Sequence, residues 1–405
     1  MRCLTRAICN KIKRLVLLYI TIGVLIIILI FFVNHRLALL NYYATTTINV
    51  YKQRRNYPGD FLEDYRRSNE TYCNFMYNLP EKFTYEQDDV QNTPDLGVDS
   101  PYRVLYNVIK AKQNLTNIAA VTYVTHITPD FVSYISEVVR YWEGPVSIAA
   151  FVPDSDADIL TKQLIRLCQC LPSMSKVSMH YVFPKQYTPY VGKIVEPFST
   201  KCRLLDLRNF ITFRNKKGLI YPVNVSRNVA RNASATNFVL VSDIELIPSN
   251  KLASKFLRMI SKLVENRFAN FKHRVFVVPV FEVDSYEYVP RRKSDLIQLI
   301  RREKAVYFHQ HICSHCQKFP GLEKWLSQNS GNAAKMLEMC LIGYRFLILD
   351  GAFLVHWPGI KQKSSETKNT NKWRYPHQLW NSRQYTNIVK KLSKKYTNNP
   401  KCKVQ

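Results

Sequence analysis

The first hydrophobic pattern along the chain is an uninterrupted apolar run at residues 15–33, LVLLYITIGVLIIILIFFV. A helix of that length covers about 30 Å, the thickness of the hydrocarbon core of a bilayer. A cleaved signal peptide has a shorter apolar stretch and then small residues, whereas this run continues into NHRL at 34–37. The pattern therefore predicts a transmembrane signal-anchor over residues 15–33.

Flanking charge predicts the orientation of this anchor. The basic residues before it are Arg2, Arg6, Lys11, Lys13 and Arg14, and no acidic residue precedes it. Because positive charge favours the cytoplasmic side, residues 1–14 are expected to be a cytoplasmic tail. The rest of the chain then lies in the lumen of the secretory pathway as a type II membrane protein, and no later segment is apolar and long enough to span again.

Beyond the anchor, the pattern changes at about residue 116. Residues 34–115 are polar, Tyr-rich and weakly periodic, which predicts a luminal stem with some local structure over 65–112. The remainder, 116–405, alternates short apolar runs with helical spacing. Strands are predicted at 118–125, 146–152 and 178–183, and helices at 131–142 and 156–170.

This alternation favours a parallel α/β sheet, a fold class in which ligands bind beyond the carboxyl ends of the strands. Thr125, His126 and Asp154 lie at such ends and are candidate ligand-binding residues. Neither a GxGxxG nor a GxxxxGK(S/T) phosphate loop occurs, which argues against a dehydrogenase or a P-loop NTPase.

The segment Tyr221–Pro248 carries the most informative chemistry. Its first half has helical spacing and presents Asn224, Arg227 and Asn228. A strand is predicted at 237–242, followed directly by Asp243-Ile244-Glu245. Two carboxylates at the end of a buried strand are costly unless something pairs them. Hard oxygen ligands of this kind suit Mn²⁺ or Mg²⁺, which stabilise a departing diphosphate.

The net charge of the chain limits the classes of molecule that it is expected to bind. The net charge is +28 over 405 residues. In a luminal domain the matching anions are nucleotide-sugars, acidic glycans and lipid headgroups, so a nucleic-acid partner is not expected.

Cysteines and sequons agree with a luminal location. Eight of the ten cysteines follow the anchor, which permits disulfides whose pairing the sequence does not give. Sequons at Asn69 and Asn114 are predicted glycan sites, whereas those at Asn224 and Asn232 adjoin the candidate site and are expected to be used only in part. The cluster His309, His311, Cys313, His315 and Cys316 is compatible with zinc, but a disulfide or another structural role is favoured.

The stretch PVNVSRNVAR…FVLVSDIELIPS, at 222–249, resembles the donor-binding region of glycosyltransferase family 49. This family includes β-1,4-glucuronyltransferase and the C-terminal half of the LARGE-type enzymes. The resemblance runs from about Ile118 to the C-terminus. The other matching segments are VTHITPD, YWEGPVSIAAFVPD, FVVPVFEVD, FHQHICSHCQKFPGLEKW and GYRFLILDGAFLVHWPGIK.

The resemblance implies a GT-A type glycosyltransferase domain with a DxD-type metal site formed by Asp243, Glu245 and His356. Glu245 departs from the strict motif but keeps an oxygen ligand. The resemblance also places Asn224 and Arg227 at the donor. A guanidinium suits both a diphosphate and a uronate carboxylate. The implied reaction is inverting transfer of a sugar, with glucuronate expected, from a UDP-sugar to a glycan or glycoprotein acceptor at the Golgi membrane. UDP-N-acetylglucosamine and UDP-xylose are the alternative donors.

The resemblance is broken at one place. Relatives carry a Trp-Glu-Pro motif and a Tyr-Asp-Glu-Arg motif where this chain passes from Trp325–Met336 almost directly into Leu341. That stretch is expected to help form the acceptor site and to supply the base that an inverting transferase needs. Glu282 and Asp284 are the fallback candidates for the base. The alternatives are a catalytically impaired partner or chaperone in complex with an active transferase, and a metal-independent glycan binder.

Overall fold

The computed structural model describes residues 17–37, 57–112, 120–194, 202–207, 210–265, 274–311, 325–326, 331–332, 341, 343–361, 383 and 385–396. The chain divides into two compact units, Met1–Arg55 and Asn56–Gln405. In the first, helix α1 covers Leu17–Leu37 with a mean hydropathy of 2.8. It is long and apolar enough to cross a membrane, so the apolar helix predicted at 15–33 is present, shifted by a few residues.

The second unit contains seven further helices and fourteen strands among the described residues. The helices are α2 Ser133–Tyr141, α3 Asp156–Cys170, α4 Phe213–Lys217, α5 Val223–Asn232, α6 Leu252–Glu265 and α7 Lys293–Arg301, and residues 385–395 are also helical. The strands are β1 Asn74–Phe75, β2 Val90–Asn92, β3 Tyr102–Lys110, β4 Val121–Ile127, β5 Val146–Phe151, β6 Val177–Pro184, β7 Phe238–Val241, β8 Leu246–Pro248, β9 Arg274–Val277, β10 Val280–Val283, β11 Ala305–Tyr307, β12 Gly331–Asn332, β13 Arg345–Ile348 and β14 Leu354–His356.

The central sheet has the order β1-β3-β6-β5-β4-β7, with β2 paired to β3. Strands β6, β5, β4 and β7 run parallel, and β3 is antiparallel to β6. Every residue of β4 and β5 is buried, as expected for strands covered on both faces. Helices α2 and α3 contribute to the larger core cluster on one side of the sheet. Helix α5 packs Val229 and Ala230 against Val124 and Phe151 on the other side.

The predicted stem, 34–115, needs correction over its second half. Strand β3 pairs with β6, and β1 and β2 pair with β3, so this region belongs to the central sheet. A disulfide between Cys73 and Cys168 joins it to the end of α3. A second disulfide, Cys170–Cys202, lies two residues further along. The globular unit therefore includes polar sequence well before residue 116.

Two predicted boundaries also move. The predicted helix at 131–142 begins at Ser133, after a 3₁₀ turn over Pro129–Phe131, because proline and the turn before it delay regular helix formation. Strand β4 extends to Ile127, so His126 lies inside the strand rather than in the loop after it. The helix predicted at 156–170 is confirmed.

Two smaller sheets complete the unit. One has the order β11-β10-β14-β8, and the other has the order β12-β13-β9. Strand β8 begins one residue after Glu245 and pairs with β14, with Leu246 opposite His356. This long-range pairing brings the end of the acidic triplet beside His356, one of the predicted metal ligands.

Candidate functional site

The site is built around the acidic turn, Ser242–Leu246, which follows β7. Ser242 continues the pairing of β7 with β4, since its N–H donates to the Val124 carbonyl at 2.9 Å. The Leu246 N–H donates to the Asp243 carbonyl at 3.0 Å and closes the turn. The turn therefore leaves the carboxyl end of a parallel strand, where such sheets bind ligands.

A buried tyrosine stabilises this turn through hydrogen bonds to its backbone. The Tyr123 hydroxyl lies 2.6 Å from the Leu246 carbonyl oxygen and 3.1 Å from that of Asp243, so it donates into the backbone of the turn. Its ring is fully buried and packs edge-on against Trp142. Burial raises the pKa of Tyr123, which keeps the donated proton in place. The sequence did not identify Tyr123, because nothing in its apolar strand indicates that its hydroxyl donates a hydrogen bond to the turn.

The Asp243 carboxylate is the electrostatic centre of the site. Its Oδ1 accepts from Arg227 Nη2 at 2.5 Å and from His126 Nε2 at 3.2 Å. The hydrogen bond from His126, together with the hydrogen bond and charge of Arg227, outweighs burial and holds the pKa of Asp243 well below its usual range. Asp243 is thus an ionised carboxylate held by two donors.

His126 is oriented by a second tyrosine. The Tyr221 hydroxyl donates to His126 Nδ1 at 2.5 Å, which leaves Nε2–H to donate to Asp243. Burial, and then the charge of Asp243, raises the pKa of Tyr221, so the hydroxyl stays protonated. Tyr221 immediately precedes the PVNVSR stretch, and its position there is the signal that could have identified it.

Helix α5 is fixed to the sheet by a buried relay of hydrogen bonds. The Asn107 N–H donates to His180 Nδ1 at 3.0 Å, and His180 Nε2 lies 3.2 Å from Ser147 Oγ. The Ser147 hydroxyl in turn donates to the Ala230 carbonyl of α5 at 2.7 Å. Because Arg227 lies one turn earlier on α5, the relay also sets the position of the guanidinium that binds Asp243.

A second acidic contact joins the turn to β14. Glu245 Oε2 lies 3.7 Å from His356 Nε2. His356 Nδ1 donates to the Gly359 carbonyl at 3.3 Å, so Nε2 keeps its lone pair. This Nε2 is buried and has no hydrogen-bond partner in the described part of the chain. Burial raises the pKa of Glu245, whereas the charge of His356 in its protonated form and the charge of Lys361 lower it, and the net shift is downward.

These atoms fit a divalent cation as a pair. An ionised carboxylate facing the unpartnered lone pair of a buried imidazole is a nitrogen and oxygen donor set that Mn²⁺ accepts. Asp243 binds Arg227 and His126 instead, and among the described residues no three His, Cys, Asp or Glu side chains converge on one point. The structure thus brings two of the three predicted metal ligands together.

The remaining predicted donor residues do not contact Asp243 through any described interaction. Thr125 is fully buried, and its hydroxyl has no partner in the described residues. Asp154 follows β5 with φ +52° and accepts the N–H of Ser155 at 2.6 Å. Asn224 is exposed on α5. Asn228 is exposed as well, and together with Asp95 and Arg231 it lines an open cavity of about 410 Å³.

The two fallback bases have different surroundings. Glu282, in β10, is completely buried, and its oxygens accept the N–H groups of His309 at 3.1 Å and Lys361 at 3.0 Å. Asp284 is partly exposed and pairs with Lys304 at 3.2 Å. The assignment of either carboxylate as a base stays a prediction.

Two sets of predicted residues lie partly outside the described residues. Asn69 is exposed, as a glycan site requires, whereas Asn114 lies outside the described residues. In the Cys/His cluster only His309 and His311 are described, and Cys313, His315 and Cys316 lie outside. Whether that cluster binds zinc or has a disulfide or another structural role therefore stays a prediction.

Comparison with known proteins identifies the family of this chain. The sequence profile of the glycosyltransferase 49 family, described as glycosyl-transferase for dystroglycan, matches residues 120–336 and 331–397. The chain belongs to this family. The two matched segments of the family 49 profile meet at 331–336, within the region where the resemblance indicated an absent stretch.

Individual members of family 49 are similar at low identity. β-1,4-Glucuronyltransferase 1 of Homo sapiens is 26% identical over 246 residues, which cover 57% of this chain and 56% of that protein. The same enzyme of Danio rerio is 24% identical over 314 residues, covering 63% and 72%. Xylosyl- and glucuronyltransferase LARGE1 of Homo sapiens is 22% identical over 274 residues, covering 59% and 31%. The match thus spans little more than half of the human glucuronyltransferase.

Proposed function

We propose that this chain is a metal-dependent, inverting glycosyltransferase of the Golgi membrane that transfers glucuronate from a UDP-sugar to a glycan or glycoprotein acceptor. The observation that carries the proposal is the Glu245 carboxylate 3.7 Å from His356 Nε2, a buried atom with no hydrogen-bond partner in the described residues. This pair lies next to the Arg227–Asp243 contact. Membership of family 49 and the glucuronyltransferase names of its relatives support the reaction class and the donor.

Each residue has a role in this proposal. Glu245 and His356 would hold Mn²⁺ or Mg²⁺, with Asp243 as the third ligand of the implied site. The bound ion supplies Lewis-acid stabilisation of the departing diphosphate. Arg227 presents a guanidinium at the same edge of the sheet, where it can bind a phosphate or a uronate carboxylate by two parallel hydrogen bonds. His126 and Tyr221 keep Asp243 ionised and fixed.

The topology proposed is that of a type II membrane protein with the second unit in the lumen. Helix α1 and the basic residues before it support this orientation. The two disulfides of the second unit support an oxidising compartment.

The test is donor binding and transfer by the full chain in detergent micelles. Calorimetry with UDP should detect binding with Mn²⁺ and lose it with EDTA, and UDP-glucuronate should be consumed faster than UDP-xylose or UDP-N-acetylglucosamine. Asp243→Asn should abolish both signals. Asp88→Asn, an exposed aspartate away from the acidic turn, is the matched control. A wild-type chain that binds no UDP with Mn²⁺ and consumes no UDP-sugar would refute the proposal.

A second candidate is a catalytically impaired family member that acts as a partner or chaperone of an active transferase. The division of the family match into two segments at 331–336 favours it, because the acceptor side is where a stretch is expected to be absent. UDP binding without turnover, together with co-purification of an active transferase, supports this candidate. Robust transfer by the purified chain excludes it.

A further inference from the structure

Glu282 is a carboxyl side chain in a place where an unpaired polar group is costly. It lies in β10, the second strand of the β11-β10-β14-β8 sheet, with Val306 and His356 as its register partners. It is completely buried. A carboxyl group in such a position requires hydrogen-bond partners that compensate for lost hydration.

Its two oxygens are shared between two loops. Oε1 accepts the N–H of His309, in the turn after β11, at 3.1 Å. Oε2 accepts the N–H of Lys361, in the loop after β14, at 3.0 Å. Each oxygen therefore binds a different loop, and one side chain fixes the distance between them.

Both loops need such a fixed point. His309 has φ +63°, a left-handed conformation that a non-glycine residue adopts at a cost and keeps only when its surroundings impose it. The loop after β14 runs from His356, the last residue of that strand, to Lys361, and the Gly359 N–H donates to the Val283 carbonyl next to Glu282 at 2.9 Å.

The side chains of the two loops meet beside the proposed metal pair. The Phe308 ring stacks on His309 with centroids 3.9 Å apart and lies 5.9 Å from the His356 ring. The Lys361 ammonium lies 5.4 Å from the centroid of Phe308, and its charge acts on Glu245. A shift of either loop would therefore move the surroundings of Glu245 and His356.

We propose that Glu282 is a positioning residue that clamps these two loops around the donor site, and that it is not the catalytic base. A base must reach the acceptor hydroxyl, directly or through one water. Glu282 has no exposed surface, and both of its oxygens already accept hydrogen bonds from the backbone. The proposal rests on the proposed function, because the site that the loops surround is the donor site.

The first test measures the clamp itself and needs no activity. Hydrogen–deuterium exchange of the full chain in micelles should show protected amides at His309 and Lys361. In Glu282→Gln one backbone N–H must face the amide nitrogen, which cannot accept a hydrogen bond, so at least one amide should exchange roughly tenfold faster or more. Unchanged protection of both amides would overturn the proposal.

The second test separates positioning from base catalysis. With UDP-glucuronate as the donor, Glu282→Gln should raise the donor KM roughly tenfold or more, while the acceptor KM and the shape of the pH–rate profile stay the same. Loss of the acidic limb of the profile with an unchanged donor KM would identify a base and overturn the proposal. Glu303→Gln is the matched control, since it makes the same change at an exposed glutamate.

Two further variants keep the test decisive. Glu282→Asp retains the carboxyl group but withdraws it by one methylene, so it should weaken donor binding even if Glu282→Gln fails to fold. Adding His309→Gly should partly restore donor binding in either variant, because glycine adopts φ +63° without strain. Wild-type binding of UDP with Mn²⁺ is measured first: its absence counts against the proposed function, whereas its presence with unchanged affinity in Glu282→Asp counts against the clamp.

Discussion

The buried relay that holds α5 makes the stability of the protein depend on pH in a calculable way. His180 is completely buried, and burial lowers its pKa to about 3. An unfolded chain has an ordinary histidine pKa of about 6.5. Between these values the unfolded chain binds a proton that the folded chain does not bind. Acidification therefore favours unfolding.

The magnitude follows from this difference in bound protons. The contribution of His180 to the free energy of unfolding should fall by about 1.4 kcal/mol for each unit by which the pH is lowered between about 6.5 and 3. At pH 7 the unfolded histidine is mostly neutral, and at pH 5 it is almost fully protonated. The contribution of His180 to the loss of stability between pH 7 and pH 5 is therefore about 2 kcal/mol.

The assay compares wild type with His180→Gln by urea unfolding of the full chain at both pH values. Glutamine can accept from the Asn107 N–H and donate to Ser147, but it does not titrate. Whatever the variant costs at pH 7, the wild type should lose about 2 kcal/mol more than the variant on going to pH 5. His311→Gln, at an exposed position, should behave like the wild type. Equal losses in wild type and His180→Gln would refute the reasoning.

Three further predictions concern stability. Tyr123→Phe removes the donor that holds the acidic turn and should lower the free energy of unfolding by about 1–3 kcal/mol; an unchanged urea midpoint would show that the hydroxyl is dispensable. Gly144→Ala places a Cβ 2.4 Å from the first carbonyl oxygen of β4 and should cost about 1–3 kcal/mol, whereas Gly192→Ala meets only ordinary contacts and should be neutral by thermal melting. Replacing Cys170 and Cys202 by serine opens a link across 32 residues and should cost about 3–4 kcal/mol; equal melting of the two proteins under oxidising conditions would contradict this.

Local sequence patterns predicted the strands that are buried throughout and the helix with a regular apolar face. Strands β4, β5 and β6 are apolar runs, and α3 shows a clear helical period that begins at Asp156 after a proline. The acidic triplet was predicted correctly at the end of a strand, since β7 ends at Val241. These signals are local, so a single sequence is enough to reveal them.

Strand β3 was missed because its own pattern is irregular. The buried residues of β3 come in adjacent pairs, 104–105 and 108–109, and not at every second position. The register of β3 with β6 also shifts between Leu105 and Ile109. Asn107, within that interval, has φ +58°. A bulge of this kind interrupts the period of two on which strand prediction depends, so a strand of the central sheet was taken for part of a stem.

The contacts of the site depend on pairings between distant segments. The sequence placed Glu245 and His356 in one hypothesis only through resemblance, and the pairing of β8 with β14 brings them together. Likewise Glu282 is a candidate base in sequence because it ends an apolar run, and only the structure shows that its two oxygens accept the backbone N–H groups of His309 and Lys361. No local pattern specifies such partners.

The inclusion of β3 in the central sheet bears on how a soluble fragment should be designed. A fragment that starts at residue 116 would lack the strand that covers β6 and would leave Cys168 without Cys73. Such a fragment would expose an unpaired sheet edge and a thiol without its disulfide partner, and both promote association between copies. A fragment beginning at residue 57 keeps both partners.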